Sequence, residues 1–359
     1  MRRLLERLFQ SAYGLVSKYK ALSPLRTALQ ALDAFFFLKP EVPVAPPYVR
    51  DPLDLKRFMI MVVFALMPAT LASIYFFGWR SIAIIAVSYV FGVGTEWLFA
   101  YARKEEIHEG AFVTCLIFPL ILPPTIPLWM VAVGIVFATV FAKEAFGGTG
   151  RNIFNVAMIG RLFLAVAFPA TMTTRWQQPF RSGLGGFAKW TADVVTGATP
   201  LISYKATHSL TGLKELFVGT VAGALGETSA LLILLGGVFL VATKVANWRL
   251  PLGYLGAMAV FSAIGSSLWP ERFAPPLFQL LAGGAMFGAM FMLTDPVTCC
   301  FTKVGKWIYA VAAGIITVLI RGLSGYVEGV MFAIIFMNTF APLIDHLVLM
   351  AKYREVASR

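Results

Sequence analysis

The amino-acid sequence predicts an all-α polytopic membrane protein of about ten transmembrane helices, some of them broken, with a faint internal repeat. Three observations carry that reading. Of 359 residues, 58% are hydrophobic and only 13% charged. The mean hydropathy is +0.77. Lys and Arg gather in short segments between long apolar runs. A soluble domain carries about 25% charged residues, and several apolar runs here reach the roughly 17–25 residues that cross hydrocarbon.

The net charge of +12 is spread as a membrane-orientation signal with an attraction for anionic lipid, and no nucleic-acid partner is expected. Cys115, Cys299 and Cys300 form neither a disulfide framework nor a Cys-x-x-Cys pair. With three histidines scattered at 108, 208 and 346, no haem or zinc centre built from this chain alone is expected.

Residues 1–57 read as a basic, partly amphipathic arm with prolines from Pro40 to Pro47. The arm lacks the apolar core and cleavage site of a secretory signal, and is expected to lie on the cytoplasmic face of the bilayer. A transmembrane domain follows over 58–349, and a basic tail over 350–359. The first two spans are 58–77 and 81–100, separated by Gly78-Trp79-Arg80. Span three starts near Gly110 and runs into Pro119, Pro123, Pro124 and Pro127, which remove backbone donors and end or kink a helix. Span four is 127–142, and span five follows the turn at 146–152 and ends near Phe168.

The polar stretch 169–214 reads as an ordered loop. Span six, 215–243, is too long for one crossing, and Gly219, Gly223, Gly226 and Glu227 suggest a break inside it. Spans seven to ten are 251–268, 274–293, 307–320 and 327–349. Ten spans put both termini on one side. Placing them in the cytoplasm assigns most of the 30 Lys and Arg residues to the inside and turns the 169–214 loop outward. His108-Glu109-Gly110 and Val327-Glu328-Gly329 echo one another before spans three and ten.

Few residues in such a chain advertise chemistry. Phe146-Gly147-Gly148-Thr149-Gly150-Arg151-Asn152 is either a tight turn or a place where backbone approaches a ligand. It has neither the Gly-Lys-Ser/Thr ending of a phosphate loop nor a preceding strand. Glu144, Glu227, Asp295, Glu328 and Asp345 are candidate carboxylates at or within spans. Such groups are either solvated anchors or members of a cation pathway, and Glu227 lies deepest. Nothing near Thr199 in Val195-Thr196-Gly197-Ala198-Thr199-Pro200 has the spacing to activate a nucleophile.

The sequence nevertheless resembles a known family. Val49-Arg50-Asp51 with Asp54-Leu55-Lys56-Arg57, the run 142–152, Thr294-Asp295-Pro296, Glu328-Gly329 and the run 340–346 look like signatures of the B-subunit family of the sodium-translocating NADH:ubiquinone reductases. The matches run in order from about residue 49 to 347. The resemblance implies a bacterial inner-membrane flavoprotein working with A, C, D, E and F subunits. Thr196-Gly197-Ala198-Thr199 is similar to the family's flavinylation motif. It implies FMN joined through its phosphate to Thr199 by a dedicated flavin transferase.

A non-covalent riboflavin is also implied, with quinone as electron acceptor and sodium as exported ion. Gly147 and Gly148 look like the glycine pair implicated in quinone binding, with Glu144 beside them. The implied activity passes electrons from FMN through riboflavin to quinone, coupled to sodium export. Two alternatives stand: the D subunit of an Rnf-type ferredoxin:NAD oxidoreductase, which shares the flavinylated threonine, and a non-redox channel or transporter.

Overall fold

The computed structural model describes residues 55–104, 110–180, 185–191 and 197–357, together with positions 10, 11, 13, 14, 16 and 183. Most of the arm expected over 1–57 lies outside these residues, as do His108, Glu109 and Thr196.

The regular elements are helices: α1 Leu55–Phe77, α2 Arg80–Arg103, α3 Gly110–Leu120, α4 Leu128–Phe137, α5 Val156–Ala167, α6 Pro169–Thr174, α7 Pro200–Thr207, α8 Leu213–Val218, α9 Ala230–Ala242, α10 Arg249–Leu268, α11 Pro276–Leu281, α12 Ala285–Phe287, α13 Lys303–Leu323 and α14 Val330–Ala357. Six stretches are long and apolar enough to cross a membrane: Arg57–Phe77, Arg80–Arg103, Leu128–Phe146, Arg249–Leu268, Lys303–Leu323 and Val330–Arg354. Gly110–Leu120, Val156–Ala167 and Ala230–Ala242 are shorter apolar helices. With the interrupted 276–292 segment they make up the ten expected from hydropathy.

The interruptions have local causes. Helix α3 stops at Leu120, where the proline-rich run begins. Pro127, at φ −60° and ψ 136°, starts α4. That helix widens into a π-helical turn, Ala138–Lys143, then tightens over Glu144–Phe146 and ends at Gly147, whose φ is +104°. Asn155 begins α5 by accepting the Met158 N–H on its side chain at 3.2 Å. Span six is broken as expected: α8 ends at Gly219 and α9 starts only at Ala230.

Span eight corrects the sequence reading. Its apolar run was expected to be one helix over 274–293, but Gly283 (φ +65°) and Gly284 divide it into α11 and α12, with a π-helical turn over Gly288–Met292. Hydropathy records that the run is apolar, and is silent on continuity. Non-helical backbone at membrane depth is tolerated where protein surrounds it, and Ala282, Ala285 and Phe287 are fully buried.

The packing repeats itself. Helix α2 lies on α3 and α4, as α10 lies on α11 and α13. Helix α5 follows onto α4 as α14 does onto α13, and the two halves meet through α1 on α9 and α5 on α14. Gly236 of α9 abuts the Ala65 carbonyl of α1, a spacing that admits no Cβ. Five apolar segments thus pack in the same order in each half. This repeat pairs span three with eight and five with ten. The tripeptide echo instead links three with ten, so it does not mark the repeat.

Candidate functional site

Two cavities lie at opposite ends of α5. The larger, about 610 Å³, is lined by Thr199 and Leu201, by Met172 and Trp176, and by Arg161 from α5. Glu227 and Thr228 from the break in span six, Gly283 from the break in span eight, and Tyr326, Glu328 and Phe332 complete it.

Thr199 is placed by ordinary capping chemistry. Its hydroxyl accepts the Ile202 N–H at 3.3 Å, and Pro200 occupies the first turn of α7. Gly197 donates its N–H to the Trp176 carbonyl at 3.0 Å, while Ala198 is exposed. Helix α7 is then tied to the α13–α14 turn. Lys205 Nζ donates to the Ser324 and Tyr326 carbonyls at 2.7 and 2.6 Å, and the Tyr204 hydroxyl donates to the Pro270 carbonyl at 3.1 Å.

Two ion pairs border this cavity. Arg161 Nη1 donates to Glu227 Oε1 at 2.7 Å, with both side chains buried. Arg321 Nη2 donates to Glu328 Oε1 at 3.0 Å, and Gly284 donates its N–H to Glu328 Oε2 at 3.2 Å. Arg321 also donates to the Gln279 and Ala282 carbonyls at 2.7 and 3.1 Å, so it holds open backbone around the break in span eight. Charges inside an apolar layer persist when paired in this way.

The smaller cavity, about 90 Å³, is lined by Lys143, Thr149, Asn152, Asn155 and Asp295 among apolar side chains. Asp295 accepts from the Val297 N–H and the Thr298 hydroxyl, each at 3.1 Å, and from Asn155 Nδ2 at 3.4 Å. Lys143 is paired with Glu96. The Thr149 hydroxyl is buried with no partner among the described residues. Gly147 and Gly148, at φ +104° and +94°, form the turn that delivers Thr149 and line neither cavity.

The five acidic candidates are therefore dispersed. Glu227 and Glu328 border the larger cavity and Asp295 the smaller. Glu144 accepts from Arg103 Nη1 at 2.7 Å. Asp345 accepts from the Phe301 and Thr302 N–H groups at 2.8 and 3.0 Å, and from the Thr302 hydroxyl, at the start of α13. Among the described residues no three His, Cys, Asp or Glu side chains converge on one point.

Sequence reasoning missed the Lys143–Glu96 pair, Arg321 and the Gly283-Gly284 break. Opposite charges in separate apolar runs were the available signal for the pair. Two adjacent glycines in span eight are the local sign of the break, but Gly236-Gly237 inside helix α9 shows that such a pair does not mark one by itself.

The larger cavity suits a flavin. Its volume falls in the range of small-molecule sites, about 300–1,000 Å³. Trp176, Tyr326 and Phe332 supply aromatic wall, and Arg161 and Glu227 supply polar groups. The buried indole N–H of Trp176 has no partner among the described residues.

Ten apolar segments, four of them short or interrupted, around two polar-edged cavities define a polytopic helical membrane protein whose halves repeat one packing order. Comparison with known proteins is more specific. Residues 43–354 match the model of the NQR2, RnfD, RnfE family, and the chain belongs to that family. It is 39% identical to the B-subunit of the Na(+)-translocating NADH-quinone reductase from Ectopseudomonas mendocina, over 92% of this chain and 93% of the relative. Proteins of the same name from Azotobacter vinelandii and Klebsiella pneumoniae are 38% and 37% identical, with the same shares covered.

Proposed function

We propose that this chain is the flavin-bearing membrane subunit of a sodium-pumping NADH:quinone oxidoreductase, carrying electrons between covalently held FMN, riboflavin and quinone. One observation supports the site above all others: the half-buried Thr199 hydroxyl stands at a cavity of flavin size, on a helix start anchored to the rest of the fold. FMN bound there would supply reversible one- and two-electron carriage. The chain's own contribution is to hold and shield it. Thr199 supplies the oxygen of the phosphoester, and Gly197 and Ala198 form the turn before it; Thr196, the first residue of the motif, is part of this proposal from sequence alone. Trp176, Tyr326 and Phe332 keep water from the cavity.

The smaller cavity at the other end of α5 is the better candidate for the quinone region, with the Gly147-Gly148 turn placing Thr149 there and the Glu144–Arg103 pair behind it. Riboflavin belongs to this reading without assigned residues. Sodium passes by a route to which Glu227, Asp295, Glu328, Asp345 and Glu144 are candidates. The partners are the A, C, D, E and F subunits, membrane lipid and, during maturation, a flavin transferase. The setting is a bacterial inner membrane with the 169–214 loop outward and both termini inward. The name shared by the relatives favours this reading over an Rnf-type D subunit. A cavity behind a motif for covalent flavin favours it over a non-redox channel.

The deciding measurement is in-gel fluorescence of the denatured chain after expression with the flavin transferase. A fluorescent band is expected for the native chain and none for Thr199→Ala. A dark native band, or a bright variant, refutes the site. Enlarging Gly147 or Gly148 is expected to impair quinone reduction and inhibitor sensitivity. Unchanged values make that turn purely structural.

A further inference from the structure

Arg161 is the buried cation that the fold leaves underused. Its side chain is 7% exposed, and it borders the same cavity as Thr199. A guanidinium carries five N–H donors in a planar fork, yet among the described residues only Nη1 has a hydrogen-bond partner, Glu227 Oε1. The nearby arginine that does not line the cavity is spent differently: Arg321 meets the Gln279 and Ala282 carbonyls as well as Glu328. Its Nε and Nη2 are not sealed inside protein but keep accessible surface on the cavity side, so they are placed to meet acceptors that arrive with a ligand. The packing also fixes its direction. Glu227 holds one arm, and the Glu227 carboxylate itself rests against Gly284, where an added Cβ would lie 2.5 Å from Oε1.

Resting on the reading that FMN is joined to Thr199, we infer that Arg161 is the residue of this chain that binds the flavin ring, donating its free N–H groups to the acceptor-rich pyrimidine edge. Glu227 is its positioning residue. The phosphate is the anionic part of the oxidised cofactor, but it is tethered at Thr199 and the α7 start. The Arg161–Glu227 pair is already neutral overall, which suits a ring that is neutral when oxidised and gains negative charge when reduced. Arg161 therefore favours the reduced ring, and Glu227 tempers that preference.

The test uses the full-length chain, expressed with the flavin transferase and purified in detergent. Arg161→Gln alone would strand a buried carboxylate, so it is made together with Glu227→Gln, and Glu227→Gln is also made alone. Folding is followed by size-exclusion elution, covalent loading by fluorescence of the denatured band, and ring environment by the visible spectrum and a redox titration. The double variant is expected to load normally and to show an altered flavin absorption band. Its reduced form should be held at least tenfold less tightly relative to the oxidised form, which for a two-electron couple is a fall of about 30 mV. Glu227→Gln alone is expected to shift the potential the opposite way, because it unmasks the Arg161 charge.

A folded, loaded double variant with native spectrum and potential overturns the inference while leaving the Thr199 assignment intact. A native chain without covalent flavin overturns both. If the double variant does not fold, Glu227→Gln decides: a rise in potential supports the inference, and no change refutes it.

Discussion

Replacing Gly284 by alanine probes the break in span eight with a single methyl group. The backbone there has φ −78°, a value alanine adopts freely, so conformational strain contributes nothing. The cost is steric. The new Cβ would stand 2.5 Å from Glu227 Oε1 and 2.8 Å from its Cδ. The carboxylate cannot yield cheaply, because it is buried and receives Arg161 at 2.7 Å. Backbone movement is opposed as well, since the Gly284 N–H is donated to Glu328.

Overpacking costs about 1–3 kcal/mol, and displacing one member of a buried ion pair about 3–5 kcal/mol. The two overlap, so about 3 kcal/mol is expected. At roughly 2 °C per kcal/mol for a chain of this size, the melting temperature should fall by about 6 °C. A thiol-reactive dye can follow unfolding in detergent, because Cys115 and Cys300 are buried at 1% and 0% exposure. Gly256→Ala is the control: this exposed position in α10 has nothing within 4 Å of an added Cβ. Alanine there should be neutral or stabilising by up to about 1 kcal/mol. Equal melting temperatures for the two variants would refute the claim that Gly284 is wedged against Glu227.

Three other outcomes are expected. Glu96→Gln strands the Lys143 ammonium and should cost about 3–5 kcal/mol, much of it recovered when Lys143→Met is added; a double-mutant cycle in thermal unfolding measures the coupling. Asp345→Asn weakens acceptance from the Phe301 and Thr302 amides, at about 1–3 kcal/mol, and amide exchange at the start of α13 should quicken. Lys205→Met releases the Ser324 and Tyr326 carbonyls, so protease cleavage in the α13–α14 turn should rise while covalent flavin loading persists; unchanged cleavage would show that this lysine does not anchor α7.

The sequence was legible where one residue's chemistry acts locally. The proline run ends α3, and Gly219 ends α8 at the break expected in span six, each through contacts within a few residues. The Gly283-Gly284 break was not legible, since adjacent glycines sit in intact helices as readily as in broken ones. Gly236-Gly237, inside α9, is such a case. Thr199 was legible only through resemblance. Its hydroxyl has no activating neighbour in sequence, and its cavity is made by residues from five separated parts of the chain.

By itself the sequence determined that the chain lives in a membrane, roughly where it crosses, and which crossings are interrupted by proline. Hydropathy and backbone chemistry are properties of short segments, and they need no partner. Only the tertiary structure decided that Arg161 meets Glu227, that Arg321 meets Glu328, and that both carboxylates close on one glycine pair beside Thr199. Inside an apolar layer a charge must find its counter-charge wherever packing brings one. Arg161 and Glu227 are separated in sequence by the whole 169–214 segment, so their partnership follows from how distant parts of the chain pack and from nothing local.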